Sequence, residues 1–220
     1  MGTAVVTGAN RGIGLALVQQ LRARGQPVVA VCRHHDADLE RTGARVERGL
    51  DLTAANAGAE LAVRLAHDEI SLLIHNAGQL AGDGLGTVAA DTVRAQFEIN
   101  ALAPLLLTQA LLPRLVQGAK VALITSRMGS IGDNGSGGYY GYRMSKAALN
   151  AAGMSLARDL APRGVAVVML HPGAVRTGMT GGQGALEPDE SARGLLARID
   201  ELRLQDSGRF LHQDGSVLPW

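Results

Sequence analysis

The chain has 220 residues, 46% of them hydrophobic and 19% charged, with a formal net charge of +1, so it can bury a sizeable core without cross-links. Twenty-one Lys and Arg against twenty Asp and Glu, spread without blocks, leave no basic stripe, which argues against nucleic acid and anionic membranes as partners. Cys32 stands alone, which excludes an internal disulfide and a multi-cysteine metal site, and points to a reducing, cytoplasmic setting with no metal.

In chain order, short β-branched apolar runs fall at Thr3–Thr7, Val28–Val31, Leu72–Ile74, Val121–Thr125 and Val165–Leu170, with a weaker one at Arg45–Leu50. The longest unbroken apolar run, Val165–Leu170, is six residues, far below the ~18 to 20 that span a bilayer. No leader pattern opens the sequence, and Val6 stands where a myristoylation signal wants Ser or Thr. Helical spacing occupies Ile13–Arg24, Ala54–Ala66, Thr87–Gln117 with a break near Asn100–Pro104, Tyr142–Ala161 and Asp189–Asp200. Gly25, Gly118 and Gly164 follow three of these helices, where a C′ glycine belongs. Continuous apolar strands alternating with helices predict an α/β, doubly wound, Rossmann-type parallel sheet of about seven strands with helices on both faces. No linker or repeat divides the chain, so residues 1–220 read as one dinucleotide-binding and catalytic domain. The Gly-rich stretches Gln79–Gly86, Arg127–Gly141 and Arg176–Pro188 each follow a strand, at the carboxyl edge where open α/β sheets bind ligands.

The first strand runs into Thr7-Gly8-Ala9-Asn10-Arg11-Gly12-Ile13-Gly14 and then a helix. A pyrophosphate needs bare backbone at such a turn and the positive end of a helix beneath it, which Gly8, Gly12 and Gly14 supply; the same glycines also suit a plain tight βα turn. Tyr142 and Lys146 stand at i and i+4 on a predicted helix. A cation there would lower the phenol's pKa from ~10 towards the range of general acid chemistry, although such a pair also suits a solvated helix face. Ser126 brings a hydroxyl to the same sheet edge, where a serine can equally cap a turn. The second strand ends Val31-Cys32-Arg33-His34, with no carboxylate before Asp36 to accept from a ribose 2′-hydroxyl. Arg33 and Arg11 offer guanidinium forks suited to a 2′-phosphate, so NADP(H) is favoured over NAD(H), the alternative being that Asp36 or Asp38 folds back to the ribose.

Taken together these residues give the chain a resemblance to the short-chain dehydrogenase/reductase family in its compact form. The glycine motif matches Thr7 to Gly14, the acidic adenine contact Asp51 beside Leu52, and the Asn-Ala-Gly motif Asn76-Ala77-Gly78. The active-site Asn matches Asn100, the Ser matches Ser126, and Tyr-x-x-x-Lys matches Tyr142 and Lys146. Pro-Gly followed by Thr matches Pro172, Gly173 and Thr177, with Val175 between them. The ending Gly208-Arg209-Phe210, Asp214-Gly215 and Pro219-Trp220, with Arg127-Met128-Gly129-Ser130, resembles the branch of C-factor-like and sniffer-like carbonyl reductases. The resemblance implies hydride transfer between nicotinamide and a small carbonyl or alcohol substrate. In it Tyr142 is the proton donor, Ser126 binds the substrate oxygen, Lys146 holds the nicotinamide ribose, and Asn100 anchors a water between the lysine and solvent. Two departures stand out: His75 replaces a common Asn, and Ser126 lies sixteen residues before Tyr142, so its placement depends on an inserted loop. A dinucleotide-binding sensor without turnover is the alternative, disfavoured because both Tyr142 and Lys146 are present; a sugar-nucleotide epimerase would want a longer substrate region. His171 and Cys32 read as structural, and His34-His35 as a solvated loop. The apolar helix Ile99–Val116 and the small face of Ala147, Ala148, Ala151 and Ala152 favour a homo-oligomer.

Overall fold

Seven parallel strands form one sheet in the order β3-β2-β1-β4-β5-β6-β7 in the computed structural model, which describes residues 2–34 and 36–220. The strands are β1 Thr3–Thr7, β2 Val28–Cys32, β3 Arg45–Arg48, β4 Ile70–His75, β5 Leu115–Ile124, β6 Ala166–His171 and β7 Arg209–His212. Alternate residues of each strand enter two separate cores. Val5, Val31, Leu73, Leu123 and Val167 pack under helices α3 (Ala57–Arg64), α5 (Ala103–Leu111) and α6 (Tyr140–Leu160). Val6, Ala30, Ile74, Ala122 and Val168 pack under α1 (Gly12–Ala23) and α7 (Pro188–Glu201). Burial on both faces is why these strands are unbroken apolar runs. Each large side chain so buried is worth about 1.5 to 3 kcal/mol.

Order reverses between β1 and β4. Strands β2 and β3 lie to one side of β1, paired Ala4 to Val28 and Val29 to Arg45, while β4 to β7 run to the other. The crevice above that reversal is where an open α/β sheet accepts a ligand.

The expected helix over Thr87–Gln117 is divided. It consists of α4 (Ala90–Phe97), a π-helical turn at Glu98–Leu102, α5 and a 3₁₀ turn at Leu112–Arg114, after which Leu115 already belongs to β5. Pro113 stops the helix, because a proline supplies no amide for a further turn. Gly118 is therefore not a helix cap; it sits at φ 81° inside the β5 segment, with its N–H on the Gly164 carbonyl. Two elements leave no clear trace in the sequence pattern. The short α2 (Ala37–Arg41) is nucleated by Asp36, whose carboxylate accepts from Asp38 and Leu39 N–H at 2.9 and 3.1 Å. β7 pairs with β6 from Val168–Arg209 to His171–His212, and its four residues are too few to show a period. Beyond β7 the chain folds back: Trp220 packs 5.5 Å from Phe210 by ring centroids, and its carbonyl accepts the Gly132 N–H at 2.8 Å. No helix among the described residues is long and apolar enough to cross a membrane.

Candidate active site

The turn between β1 and α1 is built by contacts that only glycine permits. A Cβ on Gly14 would lie 2.1 Å from the Gly8 carbonyl oxygen, and one on Gly8, at φ 64°, would lie 2.7 Å from Ala77 Cα. Asn76 locks the turn from the end of β4, donating from Nδ2 to the Thr7 and Gly8 carbonyls at 3.1 and 3.0 Å. In return the Thr7 hydroxyl accepts the N–H groups of Asn76 and Ala77, each at 3.1 Å. The glycine and Asn-Ala-Gly motifs are thus one interlocked unit. Arg11 precedes α1 without a side-chain cap, and no acidic residue stands in the first turn. The orphan amides of that turn remain open to an anion.

Above this turn lies a groove of about 890 Å³. Its walls include Gly8, Asn10, Arg11, Gly12, Ile13 and Gly14, then Arg33, Asp51 and Leu52, then Asn76, Ala77, Gly78 and Thr177. The bare glycine cradle, the uncapped helix start and the groove's extent fit a dinucleotide. Asp51 is lowered from its ordinary carboxylate value by the Thr53 N–H and hydroxyl, which donate to it at 3.0 and 2.8 Å, with Arg33 adding to the effect. Thr177 leans against the glycine turn, its Cγ2 3.3 Å from where a Gly12 Cβ would be, and a capping box with Thr180 fixes its backbone. Pro172, Gly173 and Val175 stand outside the groove wall. Instead Pro172 accepts the Ser191 hydroxyl at 2.7 Å and Val175 bridges to Leu186, which shapes the turn leading to Thr177.

Tyr142, Lys146, Ser126 and Asn100 do not line the groove wall; Asn100 and Lys146 stand directly behind Gly78, which does. All four are buried. The Lys146 ammonium is 3.7 Å from where a Gly78 Cβ would be and 5.8 Å from the Tyr142 ring centroid. The inserted loop leaves Ser126 close enough to Tyr142 to favour ionisation of the phenol, while the Ser126 hydroxyl accepts the Met128 N–H at 3.1 Å. Asn100, in the π-helical turn, accepts the Gln79 N–H at 2.9 Å and donates to the Gln79 carbonyl and the Ser145 hydroxyl at 2.8 and 2.9 Å.

The electrostatics correct the expected tuning of the tyrosine. Burial pushes Tyr142 up to about 12, opposed by nearby Ser126, rather than down towards neutrality. Lys146 is itself lowered by burial to about 8, and its ammonium donates to the Ile124 carbonyl at 2.9 Å instead of reaching the phenol oxygen. A charge 5.8 Å from the ring centre does not offset the desolvation of a phenolate.

The short chain dehydrogenase family model matches residues 2–187. The chain belongs to that family. Among curated relatives of this short-chain dehydrogenase, 1-hydroxy-2-glutathionyl-2-methyl-3-butene dehydrogenase of Rhodococcus sp. is 43% identical, with both chains covered in full. The solved carbonyl reductase Sniffer of D. melanogaster superposes with a TM-score of 0.90 at 30% identity, again over both whole chains. NADPH-bound carbonyl reductase from chicken fatty liver gives 0.89 at 32% identity, covering 100% of this chain and 99% of that one. Family membership and these neighbours make the short-chain dehydrogenase described here an NAD(P)-dependent oxidoreductase of the carbonyl-reductase-like branch.

Two residues that hold the site together were not singled out from the sequence. Gln96 is fully buried on α4 and accepts the Ala81 N–H at 2.9 Å. Asp83 touches the start of α6 from the loop after β4. Neither lies next to a motif, so no local pattern marks them.

Proposed function

We propose that the chain is an NADP(H)-dependent carbonyl reductase in which Tyr142 is the general acid of reduction and the general base of the reverse reaction. The burial of Tyr142 and Ser126 with Lys146, whose ammonium stands behind the Gly78 wall of the dinucleotide groove, carries this reading. When bound, the nicotinamide supplies or accepts the hydride. Ser126 orients the substrate oxygen, and the Tyr142 hydroxyl gives that oxygen its proton. With its pKa pushed up to about 12, Tyr142 is a neutral phenol at physiological pH, the form a proton donor needs. Lys146 would hold the nicotinamide ribose, and Asn100 would anchor a water between the lysine and solvent. Asn10, Arg11, Ile13, Asp51, Leu52 and Thr177 would hold the dinucleotide along the groove they line, with Pro172, Gly173 and Val175 shaping the turn behind them. One domain, residues 1–220, carries both binding and chemistry.

Preference for the 2′-phosphate follows from which charged groups are committed elsewhere. Arg11 and Arg33 both line the groove, whereas Asp36, which caps α2, and Asp38, which pairs with Arg41, do not. The NADPH of the chicken enzyme agrees with this preference. Cofactor oxidation with aldehydes, ketones and quinones, and oxidation of a glutathione-substituted alcohol of the kind that gives the Rhodococcus relative its name, tests the whole reading. We expect turnover with NADP(H) well above that with NAD(H). No turnover of any carbonyl or alcohol, with the dinucleotide still bound, would point instead to a sensor.

A further inference from the structure

We propose that Asp83, in the loop after β4, is the positioning residue for Tyr142, capping the catalytic helix from 57 residues away. The inference rests on Tyr142 being the proton donor. Helix α6 begins without a cap of its own. Its N-cap residue, Tyr139, makes no side-chain cap hydrogen bond and sits at φ 52°, where it is the only non-glycine with positive φ among the described residues. The first amides of the helix would then be unsatisfied. Asp83 satisfies them: its carboxylate accepts the Tyr140 N–H and, at 3.2 Å, the Gly141 N–H, while its main-chain carbonyl accepts the Tyr139 N–H at 2.8 Å. Tyr142 is the next residue along.

Asp83 is itself fixed. Its loop is tied to Asn100 through both polar groups of Gln79, to Gln96 through the Ala81 N–H, and to Thr87 through the Gly84 N–H at 2.9 Å. Gly82 lies against the Tyr139 ring, whose Cε1 is 3.3 Å from a Cβ built there. Gly141 in turn presses on Gln96, leaving 2.6 Å between its built Cβ and Nε2. A rigid strap therefore runs from Gly78 and Gln79, which line the cofactor groove, to the turn that aims the phenol.

The strap also carries charge. A carboxylate at the positive end of a helix offsets its dipole and so disfavours a phenolate in the first turn. Also near Tyr142 are Lys146 on its own helix, Ser126 at the end of β5, and Ser145, whose hydroxyl donates to the Tyr142 carbonyl at 2.8 Å and accepts from Asn100; Arg143 turns away to the Gly138 carbonyl and the Ser136 hydroxyl. Removing the charge of Asp83 should therefore lower the pH at which Tyr142 ionises.

The test uses the full chain with NADP⁺ or NADPH and the variants Asp83→Ala, Asp83→Asn and Tyr142→Phe, alone and combined. Phenolate formation is followed by ultraviolet difference absorbance, with Tyr142 resolved as the titration missing from Tyr142→Phe, so this readout needs no substrate. Rates are measured with NADPH and 4-nitrobenzaldehyde. We expect Asp83→Ala to lose about tenfold or more in kcat while its KM for NADPH stays within about twofold, the pattern of a misaimed group rather than a lost binding contact. Asp83→Asn, which keeps one acceptor, should lose less rate, yet its Tyr142 should ionise about half a pH unit lower than in the parent, as in the Ala variant. In the Tyr142→Phe background, Asp83→Ala should change the residual rate little. A parent ionisation in Asp83→Asn overturns the proposal, and this arm decides the matter if Asp83→Ala does not fold. Parent turnover by Tyr142→Phe overturns the tyrosine assignment and this inference together. A dead Tyr142→Phe beside a parent-like, folded Asp83→Ala overturns this inference alone.

Discussion

Tyr142 and Arg33 concentrate the chemistry that single substitutions can test. Tyr142→Phe removes one oxygen and almost no volume, so the fold and dinucleotide affinity should persist while kcat falls by about 100- to 10,000-fold. Lys146→Met should differ by weakening cofactor affinity as well as rate, because its ammonium stands beside Gly78 at the groove wall. Steady-state kinetics beside dinucleotide titration separates the two, and a Phe variant with near-parent turnover would remove Tyr142 from the mechanism. Arg33 lines the groove at the end of β2. Losing a charge-assisted bond to a phosphate costs about 1.5 to 3 kcal/mol, so Arg33→Ala should raise the KM for NADPH at least about tenfold and leave NADH nearly unchanged. Equal kcat/KM for the two cofactors in the parent enzyme would contradict the argument from Arg33.

At the scale of elements, β4 finishes in a buried histidine and β6 in a half-buried one, and both make the fold acid-sensitive. The Thr108 hydroxyl spends its hydrogen on the Pro104 carbonyl at 2.8 Å, so His75 must donate to it from Nε2, leaving Nδ1 buried without a partner. Burial lowers His75 to about 3; His171, whose Nδ1 is also unpartnered, is lowered to about 4 by burial and by neighbouring His212. An unfolded histidine takes its proton near 6.5 while these folded ones refuse it, so the unfolded state binds more protons and stability falls as pH drops below about 6.5. Each histidine should contribute a slope of about 1.4 kcal/mol per pH unit until its folded pKa is reached. Urea unfolding between pH 6.5 and 4 should show the slope of His75→Asn reduced by one proton; an unchanged slope would refute this account of β4. The strands were legible because burial on both faces writes an unbroken apolar run, and β1 was read to the residue. The glycine turn and the i,i+4 placement of Tyr142 and Lys146 were legible because spacing along the chain sets their geometry, whereas Asn76 was reached only through the resemblance to the family. What stayed hidden depends on distant partners. A cap 57 residues from its helix leaves no local signature, and the burial that raises Tyr142 comes from the loops and helices packed around it.

For the molecule as a whole, an apolar surface on α4, α5 and α6 is exposed among the described residues. The sequence suggests a helix apolar all round, yet Leu105 and Leu106 on α5 are 36% and 45% exposed, and Phe97 and Met144 stand out at 42% and 57%. With Ala151 exposed and Ala147, Ala148 and Ala152 half-buried, this surface suits a second copy across a two-fold axis. Light scattering at micromolar concentration should report a homo-oligomer; a monomeric mass would argue that the face is simply solvated. The tie between Trp220 and Gly132 has a different reach. The stretch from Arg127 to Gly141 joins Ser126 to Tyr142 and holds six glycines, so it has much conformational freedom to surrender, and one backbone bond together with the ring contact on Phe210 helps to confine it. Alignment of the two hydroxyls is therefore underwritten from the segment beyond β7. A substitution or tag at Trp220, seemingly remote from the chemistry, would slacken the loop between them and appear in kinetics before it appears in melting temperature.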